Sequence, residues 1–300
     1  MMKRRDFIAA ALVPLVAGHL SAREPIVRTG SPRFRTSLAA YSLRQYFSYM
    51  RDKPQTPKPD GQAVDMFGFI DYCASIGADA AELTSYFFPP GVNDAYLREV
   101  KQYAFLRGVT ISGTAIGNDF TVDDPKTLRS QVEQTNRWIE RSAVLGAPHI
   151  RIFAGTAKQL GESAAKMTAI CDAVNECAQV AEKHGIFLGI ENHGGITAAQ
   201  LLEVMKRVDS TWVGIKLDTG NFVSDDPYRD MEQCSPFTVN VQFKTSYRTP
   251  EGKVLPIDFN RVADILRTSN YQGFVALEYE DEQPYEKIPR FFEKMAAALG

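Results

Sequence analysis

Cysteine and histidine are scarce, with four of each in 300 residues. Cys73, Cys171, Cys177 and Cys234 form no C-x-x-C pair and no metal-type spacing. A chain of this length needs no disulfide staples, so they read as buried thiols. Charge of one sign is missing too: 34 basic residues face 36 acidic ones for a net charge of −2. No basic block supplies the phosphate neutralisation that nucleic-acid binding requires, so no nucleic-acid partner is expected. No G-x-G-x-x-G turn follows an early strand, which argues against a doubly wound dinucleotide-binding sheet. No apolar run reaches the ~20 residues that span a bilayer. At 44% hydrophobic and 23% charged, the chain is neither disordered nor fibrous, and it has the length of one large α/β domain.

The first residues are set apart from the fold. Lys3-Arg4-Arg5-Asp6-Phe7-Ile8 leads into an apolar stretch over 9–17 and then small residues at Ser21 and Ala22, the layout of a removable export signal over 1–22. Arg4-Arg5 followed by Phe7 and Ile8 resembles a twin-arginine signal, which carries folded proteins across a bacterial inner membrane. The expected location is periplasmic or exported, with an uncleaved membrane tether as the alternative. His19 falls in this segment, leaving His149, His184 and His193 to the mature protein.

After a short linker over 23–35, the chain alternates short β-rich apolar runs with longer segments of helical period. Strands are expected at 37–41, 78–83, 110–115, 149–153, 186–191, 213–218, 239–244 and 274–278. Helices are expected near 65–76, 94–107, 126–145, 162–184, 197–208, 226–233, 258–268 and 287–299. Eight such units predict a single-domain (β/α)8 TIM barrel over 36–300. The stretches 50–64 and 86–90 follow the first two strands and belong at the C-terminal mouth, as a lid or as rim packing.

The fifth to eighth strands end on oxygen-bearing side chains: Glu191, Asp218, Gln242 and Glu278. In a barrel these ends converge, and three carboxylates with an amide in one mouth repel unless a cation sits among them. Hard oxygen donors with open positions suit one divalent metal ion, Mn²⁺ or Mg²⁺ in preference to Zn²⁺.

Four motifs, I-E-N-H at 190–193, K-L-D-T-G-N at 216–221, V-Q-F-K at 241–244 and L-E-Y at 277–279, resemble the xylose isomerase-like barrel superfamily, which includes the ketose 3-epimerases. The resemblance covers essentially the whole mature chain. It implies a metal held by Glu191, Asp218, Gln242 and Glu278, with Glu191 and Glu278 also serving as acid and base. It further implies that Arg248 binds substrate. Gln242 stands where those epimerases have a histidine ligand and Asn221 where they have a substrate-binding histidine. The amide oxygen implies looser metal binding than imidazole. The superfamily's endonuclease IV branch uses a histidine-rich zinc cluster that three mature histidines cannot build.

Other candidates are placed by position. His193 lies two residues beyond Glu191 and reads as a substrate contact or a brace for Glu191. Lys244, in the same relation to Gln242, reads as a carbonyl- or enolate-binding lysine. Glu82 ends the second strand and either binds substrate or pairs with Arg151, and the pairing is preferred. His149 opens its strand and reads as structural. Glu280, Asp281 and Glu282 read as a solvated acidic turn. The chemistry expected is proton abstraction beside the carbonyl of a keto sugar, through an enediolate, by Glu191 and Glu278. Isomerase or epimerase action leads, and elimination from a 3-keto-glycoside or non-catalytic sugar binding are the alternatives. An exported enzyme meets unphosphorylated sugars and glycosides, so the expected partner is a small sugar or glycoside. The oligomeric state is not legible.

Overall fold

The computed structural model describes residues 24–300; the expected export signal, with Arg4, Arg5 and His19, lies outside the described residues. Eight parallel strands close into a barrel: β1 (Arg33–Ala39), β2 (Ala80–Thr84), β3 (Thr110–Ala115), β4 (His149–Ile152), β5 (Phe187–Glu191), β6 (Val213–Asp218), β7 (Thr238–Lys244) and β8 (Gln272–Glu278). Their order around the ring is β1-β8-β7-β6-β5-β4-β3-β2. The long helices between and after them are α1 (Met66–Ser75), α2 (Asp94–Leu106), α3 (Pro125–Leu145), α4 (Ala164–His184), α5 (Ala198–Arg207), α6 (Pro227–Cys234), α7 (Phe259–Thr268) and α8 (Pro284–Leu299). This is the single TIM barrel that the alternation predicts.

Local chemistry sets the helix starts. Asp65, Asn93, Asp124, Ser163, Thr197, Asp226 and Asp258 each accept a backbone N–H of the first turn, satisfying donors that would otherwise be orphaned. Helix α8 begins at Pro284 rather than 287, because the fixed φ of proline suits a first turn.

The strands divide by a period of two. Leu188, Ile190, Ile215, Leu217, Val241, Phe243, Val275 and Leu277 are fully buried and form the core between barrel and helices. The alternate positions line a polar interior. Ser37 and Ser112 share a hydrogen bond of 2.8 Å. Lys216 and Glu82 form a buried ion pair. His149 lies across the interior between Gly113 and Gly189, and a Cβ on Gly189 would come 2.2 Å from its Nε2.

The start of the barrel and the loop after β1 depart from the sequence reading. The barrel begins at Arg33, inside the stretch expected as a linker over 23–35. The residues before it seal the N-terminal end of the barrel: Ile26 N donates to Pro236 O (3.0 Å), and Asn270 Nδ2 and Gln272 Nε2 donate to the carbonyls of Arg28 (3.0 Å) and Thr29 (2.7 Å). At the other end, the loop after β1 folds into a small hairpin, Tyr49–Met50 with Lys53–Pro54, and packs as rim. Gln55 Nε2 donates to Arg44 O and Phe47 O, and Tyr46 OH donates to Asp60. Phe87 stacks on Phe47 at 4.3 Å, and Phe88 packs against Trp138.

All four cysteines are free and buried. No helix among the described residues is long and apolar enough to cross a membrane.

Candidate active site

The ends of β5 to β8 bring the four donor side chains to one mouth. Strand register sets Asp218 beside Gln242 and Glu278 beside Lys244. Two residues that the sequence reading did not single out clamp these ends. Asn192 is fully buried and bridges β5 to β6: its Nδ2 donates to Asp218 O (2.8 Å) and its Oδ1 accepts Asp218 N (2.7 Å). Thr219 bridges β6 to β7, its N donating to Gln242 O (3.0 Å) and its Oγ1 accepting Lys244 N (2.9 Å). Gly220 follows because no side chain fits there: a Cβ would lie 2.6 Å from Ser246 O and 2.7 Å from Lys244 Cγ.

Glu191 is held on both oxygens. Arg151 Nε lies 2.9 Å from Oε2, while Asn221 Nδ2 donates to Oε1 (3.1 Å) and His193 Nδ1 lies 3.4 Å from it. Burial disfavours its ionisation, yet Arg151, His193 and Lys216 outweigh burial and bring the carboxyl down to about 2. Arg151 is itself buried, with its guanidinium 4.0 Å from the Phe153 ring and its Nη1 donating to Ile116 O (2.5 Å). His193 lies against the same Phe153 ring and is half exposed.

Across the mouth, charge is offset by Lys244. Its Nζ donates to Glu278 Oε1, donates to Glu280 Oε2 (2.6 Å) and lies 3.6 Å from Asp218 Oδ2. Gln242 Nε2 donates to Glu278 Oε2, while Gln242 Oε1 is buried without a partner. Burial pushes Asp218 well above the usual carboxylate range; Lys244 opposes this, and Glu191 and Glu278 add to it. Burial also raises Glu278, again opposed by Lys244.

Glu191, Asp218, Gln242, Glu278, His193, Asn221 and Lys244 are therefore gathered in one cluster. Two other candidates are not. Glu82 lies below the mouth and pairs with Lys216, not with Arg151 and not with an accessible surface. Lys216 faces inward two residues before Asp218 and takes Glu82 as its partner, which leaves Arg151 to pair with Glu191. Arg248 is exposed on a hairpin of Ser246–Arg248 and Val254–Pro256, and its Nη1 donates to Gly252 O (2.9 Å) at that hairpin's tip. Glu280, expected as a solvated acid, instead contacts Lys244. The signal for Arg151 was its in-phase position on β4, but its partner depended on barrel geometry.

Among the described residues, no three Asp, Glu, His or Cys side chains are gathered closely enough to hold a metal ion as they stand. The donor types nevertheless fit a hard divalent cation, and the buried, unpartnered Gln242 Oε1 is an acceptor that such an ion would satisfy.

The profile of the xylose isomerase-like TIM barrel family matches residues 70–295. The chain belongs to that family. A relative named inosose dehydratase, from Halalkalibacterium halodurans, is 28% identical over 142 residues, 38% of this chain and 46% of that protein. The match thus spans less than half of that relative. Among solved members of the same fold, D-psicose 3-epimerase from Clostridium cellulolyticum H10 superposes with a TM-score of 0.68 at 16% identity, covering 88% of this chain and 99% of that one. The 3-keto-D-glucoside 4-epimerase YcjR from E. coli gives 0.63 at 18%, covering 89% and 99%. At such identities these two structures establish the xylose isomerase-like fold alone.

Proposed function

We propose that this protein is a divalent-metal-dependent sugar isomerase or epimerase that moves a proton next to the carbonyl of an unphosphorylated keto sugar. The observation carrying this reading is the placement of Glu191 and Glu278 in one mouth, with Asp218 and Gln242 on the two strands between them. Glu191, Asp218, Gln242 and Glu278 would hold the metal. When bound, the ion would draw electron density from the substrate's oxygens and so acidify the neighbouring C–H.

The chain's own residues do the rest. Glu191, held as a carboxylate by Arg151 and oriented by Asn221, and Glu278, on the far strand, are the two groups able to take and return a proton. His193, half exposed beside Glu191, and Lys244 are placed to hold substrate oxygens. The buried walls around Asp218 and Gln242 limit water around the transferred proton.

A second reading, elimination from a 3-keto-glycoside, shares the first proton transfer. The similarity to a protein named inosose dehydratase supports it, since dehydration is also loss of a leaving group beside an activated carbon. We place the enzyme outside the cytoplasm on the strength of its twin-arginine-like N-terminus.

The deciding experiment is proton NMR in D₂O with the Mn²⁺-loaded mature protein and a panel of free ketoses and 3-keto-glycosides. Exchange beside the carbonyl with a new epimer or isomer supports the leading reading. Exchange with aglycone release makes the enzyme a lyase. Sugar binding without exchange on any panel member would make it a binding protein.

A further inference from the structure

We propose that Lys244 is a tethered counter-cation: in the metal-free protein its ammonium stands in for the divalent ion between Asp218 and Glu278, and it withdraws onto Glu280 when that ion binds. This deepens the metal-dependent reading above and rests on it.

Three observations carry the proposal. Lys244 Nζ touches three carboxylates, of which Asp218 and Glu278 belong to the donor set and Glu280 does not. The ammonium therefore neutralises two prospective ligands while keeping one partner that no ion would claim. The backbone of Lys244 is fixed in β7 opposite Glu278, with its N–H on Thr219 Oγ1 at 2.9 Å. Exchange between partners is thus left to the side chain alone, whose stem runs past Gly220, where no Cβ obstructs it. Glu280 is 44% exposed against 14% for Glu278 and 1% for Asp218, so withdrawal onto Glu280 carries the ammonium outward, toward solvent.

The amide of Gln242 belongs to the same arrangement. Its Nε2 is spent on Glu278 Oε2, and its Oε1 is left unpartnered in a buried position. Lys244 Nζ donates to Glu278 and Glu280 and lies 3.6 Å from Asp218, and it makes no hydrogen bond to that oxygen. A divalent ion among the same groups can satisfy it. Lys244 thus serves the carboxylates but not the amide.

The consequence is competition. Each metal-binding event must break the contacts of Lys244 with Asp218 and Glu278, so the lysine lowers metal affinity while keeping the empty site from charging itself apart.

The test is calorimetric titration of MnCl₂ into metal-stripped mature protein, with no substrate present. Lys244→Met is expected to bind Mn²⁺ tighter by about tenfold or more, and Lys244→Arg, which keeps the charge, to stay near wild type. Without metal, Lys244→Met is expected to melt below wild type, and Mn²⁺ to raise its Tm by more than it raises that of wild type. Where the methionine variant does not fold, Lys244→Gln is titrated with the same expectation. Glu280→Gln is expected to weaken Mn²⁺ binding in wild type but to change little in the Lys244→Met background. Equal weakening in both backgrounds would mean that Glu280 acts only through its charge and would overturn the withdrawal. Unchanged or weaker Mn²⁺ binding by Lys244→Met overturns the counter-cation role, and if wild type still binds Mn²⁺ it leaves the metal-dependent reading standing. Failure of wild type and variants alike to bind Mn²⁺ removes both.

Discussion

Arg151 Nε lies 2.9 Å from Glu191 Oε2, and the two side chains are only 10% and 9% exposed. One end of the mouth therefore carries a fixed, ionised carboxylate. The opposite end carries Glu278, which shares its positive partner, Lys244, with Asp218 and Glu280. The two glutamates proposed to move protons are thus held by unlike cations, a rigid buried guanidinium and a flexible ammonium.

Arg151→Met should destabilise the metal-free protein by about 3–5 kcal/mol, because it strands Glu191 as a buried unpaired charge. The pH dependence follows from the direction of the shift. Glu191 is depressed from 4.5 to about 2, so its contribution is fully present above its unfolded value and is lost as pH falls through about 2. The gap between wild type and Arg151→Met in urea unfolding should accordingly narrow between about pH 5 and pH 2. A gap that stays constant across that range would show that the pair does not act through ionised Glu191.

Glu278→Gln should lower turnover by about 10²- to 10⁴-fold, the range that a positioned acid or base supplies, while changing sugar affinity little. Steady-state kinetics alongside a binding titration separates the two effects. Unchanged turnover would remove Glu278 from the proposed chemistry.

Gln242→His should tighten metal binding and shift preference toward Zn²⁺, since imidazole is a better donor than an amide oxygen for that ion. Competitive titration with Mn²⁺ and Zn²⁺ reads both effects. No gain in affinity would exclude Gln242 from the donor set.

Gly189→Ala should cost about 1–3 kcal/mol by overpacking, because the new Cβ would meet His149 Nε2 at 2.2 Å and Lys216 Cβ at 3.0 Å. His149→Ser in the same chain should recover part of that loss. Denaturant curves of the two single variants and the double variant give the coupling energy, and strict additivity would show that the two residues do not contact.

The four thiols should resist a disulfide-exchange reagent in the native protein at mildly alkaline pH and react fully after unfolding. All four are buried, and burial pushes Cys177 and Cys234 up to about 12, so the reactive thiolate is neither formed nor reached. Fast labelling of any one in the native state would contradict this placement.

Much of the barrel was legible because its signals are local. Strand runs such as Val213–Asp218 pair buried outward residues with inward polar ones at a period of two, and capping residues such as Asp124 and Thr197 mark helix starts within their own segment. The hairpin at Tyr49–Met50 and Lys53–Pro54 was not legible, being two residues per strand and held by contacts from elsewhere.

The amino-acid sequence by itself determined the eight-unit alternation, the inward phase of Glu191, Asp218, Gln242 and Glu278 at their strand ends, and the burial of the thiols, since each depends on periodicity and composition along the chain. Tertiary structure alone decided which charges meet. Bulged registers between β2 and β3 and between β6 and β7 shift the level at which side chains face one another across the barrel. Glu82 thereby meets Lys216, while the regular β4–β5 and β7–β8 registers let Arg151 meet Glu191 and Glu280 close on Lys244. Ion pairing falls off within a few ångströms, so partners are chosen by strand stagger and barrel closure, which no local pattern in the chain records.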